Sequence, residues 1–118
     1  MILLVEDEAL ARHAFAQILR NQGHVVMEAA DGLEALALLD KRHFDLVITD
    51  ILMPNLNGFA LVARIRVKWP NMPIVLMSGY LSQDAAKTIL NGSAEFIPKP
   101  IDPPALIATV QRLLLKSS

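Results

Sequence analysis

The chain alternates short apolar runs with longer stretches in which apolar residues recur every three or four positions. Ile2-Leu3-Leu4-Val5 is the first run, a strand that stops at Glu6-Asp7-Glu8. Leu10, Ala11, Ala14, Phe15, Ile18 and Leu19 follow at helical spacing, with Arg12, His13, Gln17 and Arg20 opposite them and Gly23 as a stop. His24 to Ala30 predicts a second strand, and Asp31-Gly32 opens a helix that turns Ala35, Leu36 and Leu39 inward. Phe44 to Asp50 predicts a buried parallel strand ending in a carboxylate and a Pro/Asn/Gly loop that closes at Gly58. A helix from about Phe59 to Trp69, with Phe59, Val62 and Ile65 on one face, ends at Pro70. Pro73 to Ser78 predicts the fourth strand, and Gln83 to Asn91 a short helix stopped by Gly92. Glu95 to Pro100 is a proline-flanked fifth strand, suited to a sheet edge where a missing N–H is tolerated. Asp102-Pro103 caps a last helix with Leu106, Ile107, Val110, Leu113 and Leu114 inward.

Five strands alternating with five helices predict an α/β fold, a doubly wound parallel sheet covered on both faces, because parallel strands need crossovers and here the crossovers are helices. In open sheets of this kind ligands bind outside the carboxyl ends of the strands. Glu6 and Asp7, Asp50, Ser78 and Lys99 each close a predicted strand, so one pocket is expected to hold them all.

Composition narrows what that pocket belongs to. With 118 residues the chain is read as one domain spanning 1–118. It is 53% hydrophobic but has no run near the ~20 apolar residues of a membrane span, so a soluble protein is expected. A net charge of -1, from 11 basic and 12 acidic residues spread along the chain, leaves no footprint for nucleic acid or for a membrane surface. The absence of cysteine excludes thiolate chemistry, disulfides and cysteine-based zinc sites. Met1 leads directly into a strand without a signal peptide, and a cytoplasmic location is expected. His13, His24 and His43 lack partner spacing and are given no role.

Asp50 is the residue to explain. A carboxylate after Leu46, Val47 and Ile48 is costly to leave ionised unless a cation pairs with it, and neighbouring carboxylates repel one another. A bound hard cation resolves this, and Mg²⁺ suits the inventory of carboxylates, backbone carbonyl and water. A carboxylate oxygen beside Mg²⁺ and a lysine ammonium is placed to attack phosphorus, giving an acyl phosphate. Ser78 would hydrogen-bond one phosphoryl oxygen and Lys99 would present a point charge to another.

Leu4-Val5-Glu6-Asp7-Glu8, Asp50-Ile51-Leu52-Met53-Pro54 with Asn57-Gly58, Met77-Ser78-Gly79 and Pro98-Lys99-Pro100 occur in that order and frame nearly the whole chain. Together they resemble the receiver domain of bacterial two-component response regulators. The resemblance implies a flavodoxin-like sheet in the order 2-1-3-4-5, with Asp50 as acceptor of a phosphoryl group from a sensor histidine kinase or a histidine phosphotransfer protein. It implies that Asp7 and Asp50 ligate Mg²⁺, that the Leu52 backbone carbonyl joins them, and that Glu6 acts directly or through water. Ser78 and Lys99 would hold the phosphoryl oxygens, Phe96 would stand at the switch-aromatic position, and the Lys99–Pro100 bond would be cis. The face formed by the fourth helix, fifth strand and fifth helix would then signal to a downstream effector protein or domain, or to a second phosphorylated copy. Such a chain is a switch and not a turnover enzyme.

Some residues depart from the family's pattern. Glu6 replaces an aspartate, Ser78 a threonine, Phe96 has no hydroxyl, and the short fourth helix predicts an atypical output face. Two other readings stay open at this point: a receiver excised from a hybrid histidine kinase or larger regulator, and a metal-dependent phosphohydrolase on a similar sheet. Against the second, Leu52 stands where an Asp-x-Asp motif would place its second carboxylate.

Overall fold

The computed structural model describes residues 1–116. Among them, the apolar runs form β1 (Ile2–Val5), β2 (Val26–Ala29), β3 (Leu46–Asp50), β4 (Ile74–Ser78) and β5 (Glu95–Pro98). Between and after them lie α1 (Ala9–Asn21), α2 (Gly32–Lys41), α3 (Gly58–Lys68), α4 (Gln83–Leu90) and α5 (Pro103–Lys116). The strands pair in parallel in the order β2-β1-β3-β4-β5, the expected doubly wound topology. β5 is an edge strand, which is where Pro98 can be accommodated.

Side chains alternate across each strand, so the sheet feeds two cores. Leu3, Val5, Val47 and Leu76 meet Leu39, Leu61, Ile65 and Leu90 on one face. Ile2, Leu4, Ile48 and Met77 meet Leu19, Leu106 and Val110 on the other. Burial on both faces is why β3 and β4 are apolar at successive positions and not at alternate ones.

The register brings the strand ends level. Val5 lies opposite Thr49, Asp50 opposite Met77 and Ser78 opposite Pro98. The polar residues that close the strands are therefore carried to one edge.

Helix ends are capped locally. Glu8, Asp31, Asn57 and Ser82 accept backbone N–H groups at the starts of α1, α2, α3 and α4. Trp69 ends α3 with its N–H on the Ile65 carbonyl, and α4 stops where Asn91 and Gly92 take φ of 47° and 82°. Two expectations need correction. The buried face of α1 is Ala16 and Leu19, whereas Ala14 is exposed and Leu10 is 79% exposed. The first turn of α1 starts at the carboxyl edge of the sheet, so Leu10 has no strand beneath it. The second strand is shorter than its apolar pattern suggests, because His24 and Val25 lead into it outside the paired segment.

Candidate functional site

Asp50 ends the central strand and is 8% exposed. Its Oδ1 accepts the Ile51 N–H at 2.7 Å, which pins the carboxylate, and its Oδ2 is 2.6 Å from Lys99 Nζ. The same ammonium lies 2.9 Å from Glu6 Oε1, and Glu6 Oε2 accepts the Glu8 N–H at 3.2 Å. Lys99 reaches this position because β5 returns to the edge beside β4, its N–H bonded to the Ser78 carbonyl at 2.8 Å and its peptide bond to Pro100 cis.

Burial raises the Glu6 carboxyl above the ordinary carboxylate range, against the lowering from the Lys99 and Glu8 bonds. Burial pushes the Lys99 ammonium down, but its bonds to Asp50 and Glu6 outweigh that and its pKa is raised, so it stays charged between the two carboxylates. Asp7 is exposed at the rim, and one oxygen from each of Glu6, Asp7 and Asp50 lies within 4.8 Å of the others. An all-oxygen cluster of this size fits a hard divalent cation and does not suit a soft one.

Ser78 is 1% exposed, and its Oγ accepts the Tyr80 N–H at 3.0 Å, which leaves the hydroxyl hydrogen to donate. Among the described residues, no hydrogen bond joins it to the carboxylates. Leu52 follows in the β3–α3 loop and is 54% exposed, and Tyr80 is 82% exposed. Phe96 sits two residues back from the edge, opposite Leu76. It is half-buried, packs against the first core and lines a cavity of about 580 Å³ together with Lys87 and Leu90.

The loop after β3 is constrained from both ends. A Cβ on Gly58 would lie 2.3 Å from the Asp50 carbonyl oxygen, so only glycine lets α3 start this close to the strand end. Between them, the Leu56 N–H bonds the Pro54 carbonyl at 2.8 Å around Asn55, whose φ is 69°. A three-residue turn with positive φ at its centre is rare and strained, about 1–3 kcal/mol for a residue other than glycine.

Sequence reasoning missed four polar features. The Thr49 hydroxyl donates to the Asp50 carbonyl at 3.0 Å. Asp31 and Asn55 are joined across loops at 3.0 Å, and the Asp31-x-x-Glu34 capping-box spacing was a legible pointer to the first of them. Glu28 gathers Arg12, Arg20 and His13, at 3.2, 3.2 and 2.6 Å, and His43 lies 3.3 Å from Asp45, so these two histidines have partners after all. Nothing in local spacing points to the Glu28 cluster, because only strand pairing brings β2 beneath α1.

An open parallel sheet with one buried strand-end carboxylate, held by a lysine and flanked by two more acids at the carboxyl edge, defines a single-site acidic α/β module. A family model for the response regulator receiver domain matches residues 2–111. The chain belongs to that family, the receiver domains of two-component systems. It is 35% identical over 112 residues to the response regulator protein FleR of Pseudomonas aeruginosa, covering 94% of this chain and 24% of that protein. It is also 35% identical over 119 residues to the sensor kinase CckA of Brucella abortus, covering 98% of this chain and 12% of that one. The crystal structure of the receiver domain of NtrX from Brucella abortus superposes with a TM-score of 0.89 at 35% identity, covering 97% of this chain and 98% of that one. The chain thus spans a quarter or less of the length of the two relatives matched by sequence.

Receiver domains are regulators and not turnover enzymes, they bind Mg²⁺ at an acidic pocket, and they work with histidine kinases and effector domains. The match does not favour the phosphohydrolase reading. Among the described residues no helix is long and apolar enough to cross a membrane.

Proposed function

We propose that Asp50 is the phosphoacceptor of one receiver domain spanning 1–118, and that its phosphorylation sets the signalling state of the chain. The observation that carries this reading is the Lys99 ammonium held between Asp50 and Glu6, at 2.6 and 2.9 Å, on the edge where the central strand ends. Asp50 attacks the phosphorus of a phosphohistidine on a kinase or phosphotransfer protein. The new O–P bond forms as the P–N bond breaks, and the electron pair returns to the imidazole nitrogen. Ile51 N–H orients the carboxylate, the Ser78 hydroxyl donates to one phosphoryl oxygen, and Lys99 moves its charge from the free carboxylate to another. Glu6, Asp7, Asp50 and the Leu52 carbonyl would hold Mg²⁺, which neutralises charge on the transferring group. Phe96 then adjusts to the position of Ser78 and passes the change to the face of α4, β5 and α5. That face meets an effector protein or domain, or a second phosphorylated copy. The cytoplasm, where phosphohistidine donors reside, is the proposed compartment.

Intact mass after incubation with Mg²⁺ and acetyl phosphate tests this. One phosphoryl group should add to the parent, none in EDTA and none to Asp50→Asn. Uptake that persists in Asp50→Asn would remove Asp50 from the role.

A further inference from the structure

The acidic pocket depends on a loop that the structure clamps from an unexpected side. Asp31, at the start of α2, uses its two carboxylate oxygens differently. Oδ1 accepts the Glu34 N–H at 2.8 Å and caps the helix, while Oδ2 accepts the Asn55 side-chain amide at 3.0 Å. Glu34 Oε2 accepts the N–H of Ala30, the residue before the cap, at 3.1 Å, which ties the first turn of α2 to the segment that enters it. The next residue, Gly32, packs so closely on the loop that a Cβ would lie 2.7 Å from the Leu56 carbonyl oxygen and 2.8 Å from Leu56 Cβ. Both contacts fall on the strained turn at Asn55, φ 69°, three residues beyond Leu52. A strained turn persists only where its surroundings over-determine it, and here the surroundings are the first residues of α2.

We infer that Asp31 and Asn55 are positioning residues for the metal ion: by holding the Asn55 turn, the α2 N-terminus holds the preceding residues, including the Leu52 carbonyl, in the conformation that binds Mg²⁺. The inference rests on the site proposed above. The Asp31–Asn55 bond acts through the loop and touches neither the metal nor the phosphoryl group. A partner that pulls on the start of α2 would therefore change metal affinity without entering the pocket.

Two substitutions isolate the bond. Asn55→Gly keeps the left-handed backbone at no steric cost but deletes the amide. Asp31→Ser keeps a good helix cap but has a single, shorter oxygen. Mg²⁺ binding is read by calorimetry on the full chain, alongside thermal unfolding and the Mg²⁺ dependence of uptake from acetyl phosphate. Each variant should bind Mg²⁺ about tenfold more weakly, the loss typical of outer-shell changes. The double variant should be no weaker than either single one, as for two halves of one interaction. The uptake rate at saturating Mg²⁺ should stay parental while the Mg²⁺ concentration for half the rate rises, a split that general destabilisation would not produce. Parental Mg²⁺ affinity in both single variants, or losses that simply add, would overturn the inference while leaving the Asp50 assignment intact. Parental binding in Asp7→Asn would instead overturn the proposed metal site, and this inference with it.

Discussion

At the scale of single residues, the chain places charge where a strand or helix can hold it. Glu28 is the clearest case outside the pocket. Burial opposes its ionisation, but hydrogen bonds from His13 and Arg20 outweigh that and hold its pKa below the ordinary value of 4.5. A carboxyl whose folded pKa is depressed stabilises the native state above its unfolded pKa and loses that contribution as pH falls through the folded value. Glu28→Gln should therefore cost about 1 kcal/mol at pH 7, the upper range for pairs with one exposed partner. Its stability should converge on the parent's in urea unfolding as pH falls below the ordinary carboxyl value of 4.5 and through the depressed folded one. A gap that does not shrink in acid would mean that Glu28 contributes by packing and not by charge.

At the scale of elements, the joint between β3 and α3 decides the site. The strand must end at a buried carboxylate and the helix must begin almost on top of it, which the close approach of Gly58 to the Asp50 carbonyl permits. Gly58→Ala forces backbone against backbone, where no side chain can swing away. The expected cost is about 1–3 kcal/mol, in the range for overpacking. Uptake of phosphoryl should fall with it, since the atoms displaced are those of Asp50 and Ile51. Thermal unfolding and intact mass on one preparation check both, and an alanine variant with parental values would show that the joint is compliant.

At the scale of the whole molecule, a change at the carboxyl edge must reach surfaces elsewhere to act as a signal. In the function proposed above, Phe96 carries that change. It belongs to β5, the strand that delivers Lys99, and it lines a cavity with α4 residues, so its ring has room to move. Arg66 borders the same cavity, and its guanidinium donates to the Ser93, Trp69 and Met72 carbonyls, tying the end of α3 to the segment that enters β5. We expect Phe96→Ala to take up phosphoryl as the parent does but to lose the phosphorylation-dependent change in amide exchange over α4 and β5. An unchanged exchange response would move the coupling to another side chain.

How much of this was written in the chain itself differs by kind of feature. Strand and helix identity, the doubly wound architecture and the convergence of Glu6, Asp7, Asp50 and Lys99 follow from local pattern, because doubly buried strands must be apolar throughout and their polar ends must lie at one edge. What only the tertiary structure decided are contacts between segments distant in sequence. These are the Lys99 bridge across two carboxylates, the two guanidinium groups and the imidazole on Glu28, the exposed first turn of α1, and the Asp31 carboxylate that both starts a helix and holds the Asn55 turn. The periodicity of a segment reports which of its faces is buried, whereas the partner it meets there depends on strand order and register, which no single segment carries.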